Sequence, residues 1–239
     1  MKRTFKHILL SSSIALASIS VLSLPSTTTA APTINIQSVL QQERAWAGMQ
    51  TKRVKVGDIE WAYSEGGTKG KPVIMLIHGL AGSRDNWNRV ARYLTPHYQV
   101  IIPDLPGQGD SKAPNDFDYS IPNLTEKLRR FAEAIQVEKD LHIAGHSMGG
   151  AISLLYAAQY PIDAKSLFLV NSAGVFKSAN TPYLKDPNLL RNFVVAKPGD
   201  FDRLFKIAAQ LPPFIPNELK VEQEKLMISN AANTSKLIE

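Results

Sequence analysis

Residues 145–150 read Gly145-His146-Ser147-Met148-Gly149-Gly150, a G-x-S-x-G pattern between an apolar run, Leu141 to Ala144, and a helical pattern of Met148, Ala151, Ile152 and Leu155. A serine on a sharp strand-to-helix turn projects its hydroxyl above a sheet, where it can attack an electrophilic carbonyl carbon. Glycine at 145 and 149 lets strand and helix come that close. The helix start also offers free N–H groups to a developing anion. As a bare string the pattern arises by chance in about one chain in twelve of this size, so its weight comes from context. A second loop supplies that context. His78-Gly79-Leu80-Ala81-Gly82-Ser83 follows the apolar run Val73 to Ile77. Its backbone can turn the Leu80 N–H toward the serine, and with the Met148 N–H it would form a two-donor oxyanion hole. The third loop, Asp104-Leu105-Pro106-Gly107-Gln108-Gly109-Asp110-Ser111, reads as a tight structural turn near the same rim.

The elements that must hold these loops follow from periodicity. Val73 to Ile77, Val100 to Ile102, Leu141 to Ala144 and Leu167 to Val170 are short, nearly continuous apolar runs, as expected of parallel strands covered on both faces. Helical patterns lie between them: Trp87, Val90, Ala91, Leu94, then Leu124, Leu128, Phe131, Ile135, then the pattern from Met148. This alternation predicts an α/β fold, a mostly parallel sheet with helices on both faces and its sites at the carboxyl ends of the strands. Before it come a short helix within 34–46 and a hairpin over 53–56 and 59–63. From Gly174 the alternation stops, and helix-like patches are separated by prolines at 182, 187, 198, 212, 213 and 216. The expected organisation is a targeting segment over 1–30, the N-terminal part of the core over 31–175 and a partial helical cap over 176–239.

His78-Gly79 after a strand, Asp104-Leu-Pro-Gly-Gln-Gly-Asp-Ser, Gly145-His-Ser-Met-Gly-Gly and Asn171-Ser-Ala-Gly together resemble the α/β-hydrolase superfamily. Within it the chain is most similar to the bacterial family V lipases and the monoacylglycerol lipases. The likeness covers about residues 50–239 and is strongest over 73–174. It implies a serine hydrolase of carboxylic esters with Ser147 as nucleophile, Leu80 and Met148 as oxyanion donors, and Gly79, Gly145 and Gly149 shaping the turns. It implies also that His78 supports the oxyanion loop. Serine at the elbow speaks against the epoxide hydrolases and haloalkane dehalogenases, which use aspartate there. A broad carboxylesterase, thioesterase or perhydrolase is the alternative within enzymes.

Such chemistry needs a base for the serine proton and a carboxylate to orient that base, in the order serine, acid, histidine. The five histidines are at 7, 78, 97, 142 and 146, and none follows Ser147. His146 adjoins Ser147 but points elsewhere, and His97 belongs at the opposite rim. The resemblance places the acid and histidine on two further strand ends after the cap, whereas residue 239 falls inside it. The expectation is therefore a truncated hydrolase without the C-terminal strands, itself inactive, or a non-catalytic product of such a gene.

Composition bounds the rest. With 44% hydrophobic and 20% charged residues the chain can bury a core, and having no cysteine excludes disulfides, thiolate metal sites and a cysteine nucleophile. The net charge of +6 is partly Lys2, Arg3 and Lys6; without them 24 basic residues face 21 acidic ones, with no block of like charge, so nucleic acid is not an expected partner. Those cations precede an apolar stretch from Ile8 to Leu24 and the small residues Ser26 to Ala31, the form of a secretory signal peptide; an uncleaved membrane anchor is the alternative. Export follows as the expected localisation. Gly66-Gly67-Thr68-Lys69-Gly70-Lys71 has Glu65 where a phosphate loop needs its first glycine and Pro72 where it needs Ser or Thr, so it is a turn. No cofactor or metal is expected. Partners are a lipid or small ester, with a lipid interface as a further candidate through Phe193, Phe201, Phe205, Phe214 and Ile215, and no obligate protein partner.

Overall fold

The structure, a computed structural model, describes residues 35–175, 181–211 and 214–238. The expected targeting segment lies outside these. Among the described residues no helix is long and apolar enough to cross a membrane. The elements run α1 (Ile36–Trp46), β1 (Met49–Val56), β2 (Ile59–Gly66), β3 (Val73–Ile77), α2 (Asn88–Leu94), β4 (Gln99–Pro103), α3 (Ile121–Ala134), β5 (Leu141–His146), α4 (Met148–Gln159) and β6 (Ala164–Val170). After them come α5 (Pro182–Lys185), α6 (Asp200–Ala208), α7 (Asn217–Ser229) and α8 (Ala231–Lys236), with short 3-10 helices over Arg84–Trp87 and Pro187–Phe193.

Six strands form one sheet in the order β1-β2-β4-β3-β5-β6. β3 pairs in parallel with β4 and β5, and β5 in parallel with β6, while the β1–β2 hairpin joins β4 antiparallel. Strand alternation divides the core into two layers. Met75, Ile77, Ile101, Leu141 and Ile143 face a cluster with Leu124, Leu128 and Phe131 of α3 and Ile152 and Tyr156 of α4. Leu76, Val100, Ile102 and Ala144 face the other side, against Trp87 and Ala91. Phe131 is fully buried and stacks on Trp61 at 4.7 Å, a burial that contributes about 1.5–3 kcal/mol.

The expectation of strands covered on both faces holds for β3, β4 and β5 and fails for β6, where Phe168 is 67% exposed. β6 ends the described sheet; its Leu167 packs on the cluster of α3 and α4, and Val170 packs on the cluster around Trp87, which leaves Phe168 uncovered. The opposite edge strand, β1, carries Lys52, Arg53 and Lys55, charges that discourage edge pairing.

Candidate active site

The register of the parallel strands β3, β5 and β6 assembles the site. Ile77 lies opposite Gly145, and His146 opposite Val170, so the loops after β3, β5 and β6 leave the sheet side by side. Ser147 follows β5 directly and caps α4 with φ 53° and ψ −121°, a conformation that costs a non-glycine residue about 1–3 kcal/mol. Its backbone pays for the turn in hydrogen bonds: its N–H donates to Val170 O at 3.1 Å, and its carbonyl accepts from Gly150 N and Ala173 N, both at 2.9 Å. The hydroxyl does not cap the helix and has no hydrogen-bond partner among the described residues.

The elbow fits only glycine at its two flanks. A Cβ on Gly145 would run into Gly149 O, and one on Gly149 into the carbonyls of Ile77 and His78. A Cβ on Gly79 would sit 2.9 Å from the Ser147 Cβ, so the β3 loop lies directly against the serine. The structure thus brings Ser147, Gly79, Gly145 and Gly149 together. Leu80 and Met148 flank Gly79 and Ser147 in the chain, and neither donates its backbone N–H to a described acceptor.

His78 is completely buried and ties two loops together. Leu105 N–H donates to its Nε2 at 3.0 Å, which leaves the proton on Nδ1, and that proton goes to Gly79 O at 2.9 Å. Burial depresses its pKa below the ordinary histidine value, with the Asp104 charge opposing, so the ring is neutral. Both nitrogens are engaged, and His78 has none left for the serine proton. His146 packs beside Gly79, and its pKa is also lowered by burial. His142 bonds Ser166 Oγ at 2.7 Å, and His97 precedes β4 at its other end.

A buried ion network behind the β3 loop went unread in the sequence. Asp104 accepts from Arg84 N at 2.6 Å, from Asp110 N at 2.8 Å and from the Arg84 guanidinium, whose Nη2 also reaches Asp110 Oδ2 at 2.6 Å. Burial works against the Asp110 carboxylate, yet the guanidiniums of Arg84, Arg44 and Arg53 outweigh it and hold its pKa below the usual range. The signal available was chemical: two aspartates in one apolar-flanked loop need a cation, and Arg84 at the end of the preceding strand's loop could provide it.

An open polar cleft of about 570 Å³, lined by Arg53, Glu60, Asp110, Lys112, Asn230 and Asn233 among others, includes neither Ser147 nor Leu80. Its open, charged walls do not suit an acyl chain. Among the described residues no group of His, Asp and Glu could hold a metal.

Comparison with known proteins agrees with this architecture. The family model of the alpha/beta hydrolase fold matches residues 72–216. Lipase 1 of Psychrobacter immobilis is 35% identical over 206 residues, covering 85% of this chain and 64% of its own length. Lipase 3 of Moraxella sp. (strain TA144) is 34% identical over 95% of this chain and 73% of its own. A solved structure from Acinetobacter baumannii AYE with a provisional lipase assignment superimposes with a TM-score of 0.83 at 62% identity, over 86% of this chain and 69% of that one. The chain thus spans about two thirds of the length of these relatives.

Proposed function

The chain belongs to the α/β-hydrolase family, and from that membership we propose that it derives from an exported hydrolase of carboxylic esters, acylglycerol-like lipids among them, with Ser147 as nucleophile. The relatives named lipases support the ester class. The observation that carries the residue assignment is the free Ser147 hydroxyl, held at positive φ against Gly79 with two uncommitted amides nearby. In this reading Ser147 Oγ attacks the ester carbon, and the oxygen that gains the negative charge lies between the N–H groups of Leu80 and Met148. Collapse expels the alcohol and leaves an acyl-enzyme, which water then hydrolyses.

The serine proton needs an acceptor; among the described histidines His78 is committed to two loops, His142 bonds Ser166 Oγ and His97 lies at the other end of β4. The 239 residues on their own are therefore expected to turn over slowly. Losing triad members typically leaves only about 10³–10⁴-fold catalysis over water, from the oxyanion hole and binding. The commitment of both His78 nitrogens to neighbouring loops favours a second reading, a non-catalytic protein that keeps the hydrolase fold.

One assay separates the two. The purified chain is incubated with a p-nitrophenyl ester series, from acetate to palmitate, with and without added imidazole as an external base. The hydrolase reading expects imidazole-dependent acylation that Ser147→Ala abolishes and that varies with acyl length. Rates equal in wild type and Ser147→Ala, at every chain length, support the non-catalytic reading.

A further inference from the structure

The segment that carries Leu80 is anchored at both ends by buried polar contacts, and the middle is held by little else. At its start, His78 bridges Gly79 O and Leu105 N. At its end, Arg84 is 1% exposed and joins a completely buried Asp104 to the partly exposed Asp110. Between these anchors Gly82 N donates to Gly79 O at 3.1 Å, and Ser83 N to Asn86 Oδ1 at 2.7 Å. The loop after β4 is shaped around the same carboxylate: a Cβ on Gly109 would collide with Asp104, and Ser111 Oγ donates to Asp104 O at 2.8 Å.

We infer that Arg84, clamped between Asp104 and Asp110, is a positioning residue for the oxyanion loop, fixing the direction in which the Leu80 N–H points. The inference rests on the proposed role of Leu80 and adds the residues that enforce it. Stability alone is a weak reason for this arrangement. Burying a guanidinium and a carboxylate carries a desolvation penalty that their attraction often only balances, and Arg84 Nε has no partner among the described residues. Geometry is the better reason. A planar guanidinium bonded to two carboxylates at once resists rotation, and the same residue's backbone N–H is held by Asp104 Oδ1, so side chain and main chain are fixed to one anchor. A lysine would keep the charge and lose the fork.

The test uses the 239-residue chain and the variants Arg84→Lys, Arg84→Met and Asp110→Asn. Amide exchange at Gly82, Ser83, Arg84 and Leu105 is followed by NMR, alongside amides of β5. Butylboronic acid is titrated as a probe that forms a tetrahedral adduct with Ser147 Oγ, releasing a proton and placing a negative boronate oxygen at the oxyanion position. Arg84→Lys and Asp110→Asn should raise exchange at the four loop amides at least fivefold, leave β5 within twofold, and weaken boronate binding about tenfold. Arg84→Met should exceed both; should it fail to fold, the two milder variants decide the matter. Loop exchange unchanged, exchange rising equally in β5, or boronate affinity intact despite a loosened loop would each overturn the inference. Absence of any Ser147-dependent boronate adduct in the wild type would instead defeat the nucleophile assignment, while the exchange data still judge the clamp.

Discussion

Between Val73 and Val170 the sheet and its helices bury Met75, Leu76, Ile77, Val100, Ile101, Leu128 and Phe131 almost completely, and the loops at the strand ends are cross-linked by buried polar contacts. Between Thr181 and Ile238, by contrast, Val195 and Phe201 are the large apolar side chains buried among the described residues, while Leu211 and Phe214 are 89% and 92% exposed. Core burial therefore resides in the first region, although that region also leaves Ile162 and Phe168 95% and 67% exposed. The first region can hold a hydroxyl and two amides in fixed relation. The second presents short helices whose residues pack lightly, and its substitutions should be felt in contacts with other molecules more than in folding.

That contrast can be broken by measurement, beginning where the effect is largest. Phe131→Ala removes a ring packed on Trp61 and Tyr63 and should cost about 4 kcal/mol in urea unfolding; a loss below about 1 kcal/mol would mean the core is loosely packed. Gly149→Ala forces a methyl into the carbonyls of Ile77 and His78 and should cost about 3 kcal/mol, with the elbow displaced; near-neutral behaviour would show that strand and helix can part freely.

A smaller effect concerns pH. His78 is neutral when folded, with its pKa depressed by burial, so the unfolded chain binds the proton more readily. Its contribution is fully present above the unfolded value of about 6.5 and is lost as pH falls from there through the folded value. The half-buried His146 acts in the same direction. The urea midpoint should accordingly drop between pH 8 and pH 5, and His78→Gln should flatten most of that drop; an equal slope in the variant would assign it elsewhere. Last, Phe214→Ala should change stability by no more than about 0.5 kcal/mol, and a loss several times larger would show that the outer region belongs to the folding core.

Much of the inner region was legible in advance because its signals are local. The runs at 73–77 and 141–144 fall in β3 and β5, Val100 to Ile102 lies within Gln99–Pro103, and the turn around Ser147 follows from glycine spacing. The exposure of Phe168 was not legible, since an apolar run reads alike at the centre of a sheet and at its edge. The pairing of Arg84 with Asp104 escaped for a related reason: twenty residues and a whole strand separate the partners, and no periodicity connects them. The hydrogen bonds of His78 were suggested only by the family likeness, while its tautomer follows from the Leu105 contact. In the outer region Pro182, Pro187 and Pro216 stand where helices start but carry no information on what those helices pack against.

The account stands most directly on the reactivity of one hydroxyl. A fluorophosphonate applied to the purified chain with imidazole present, followed by peptide mapping of every labelled serine, should place the adduct on Ser147 far ahead of the other serines, with fluoride expelled and the proton passed to imidazole. Labelling spread evenly among exposed serines, with Ser147 no faster than the rest, would contradict it.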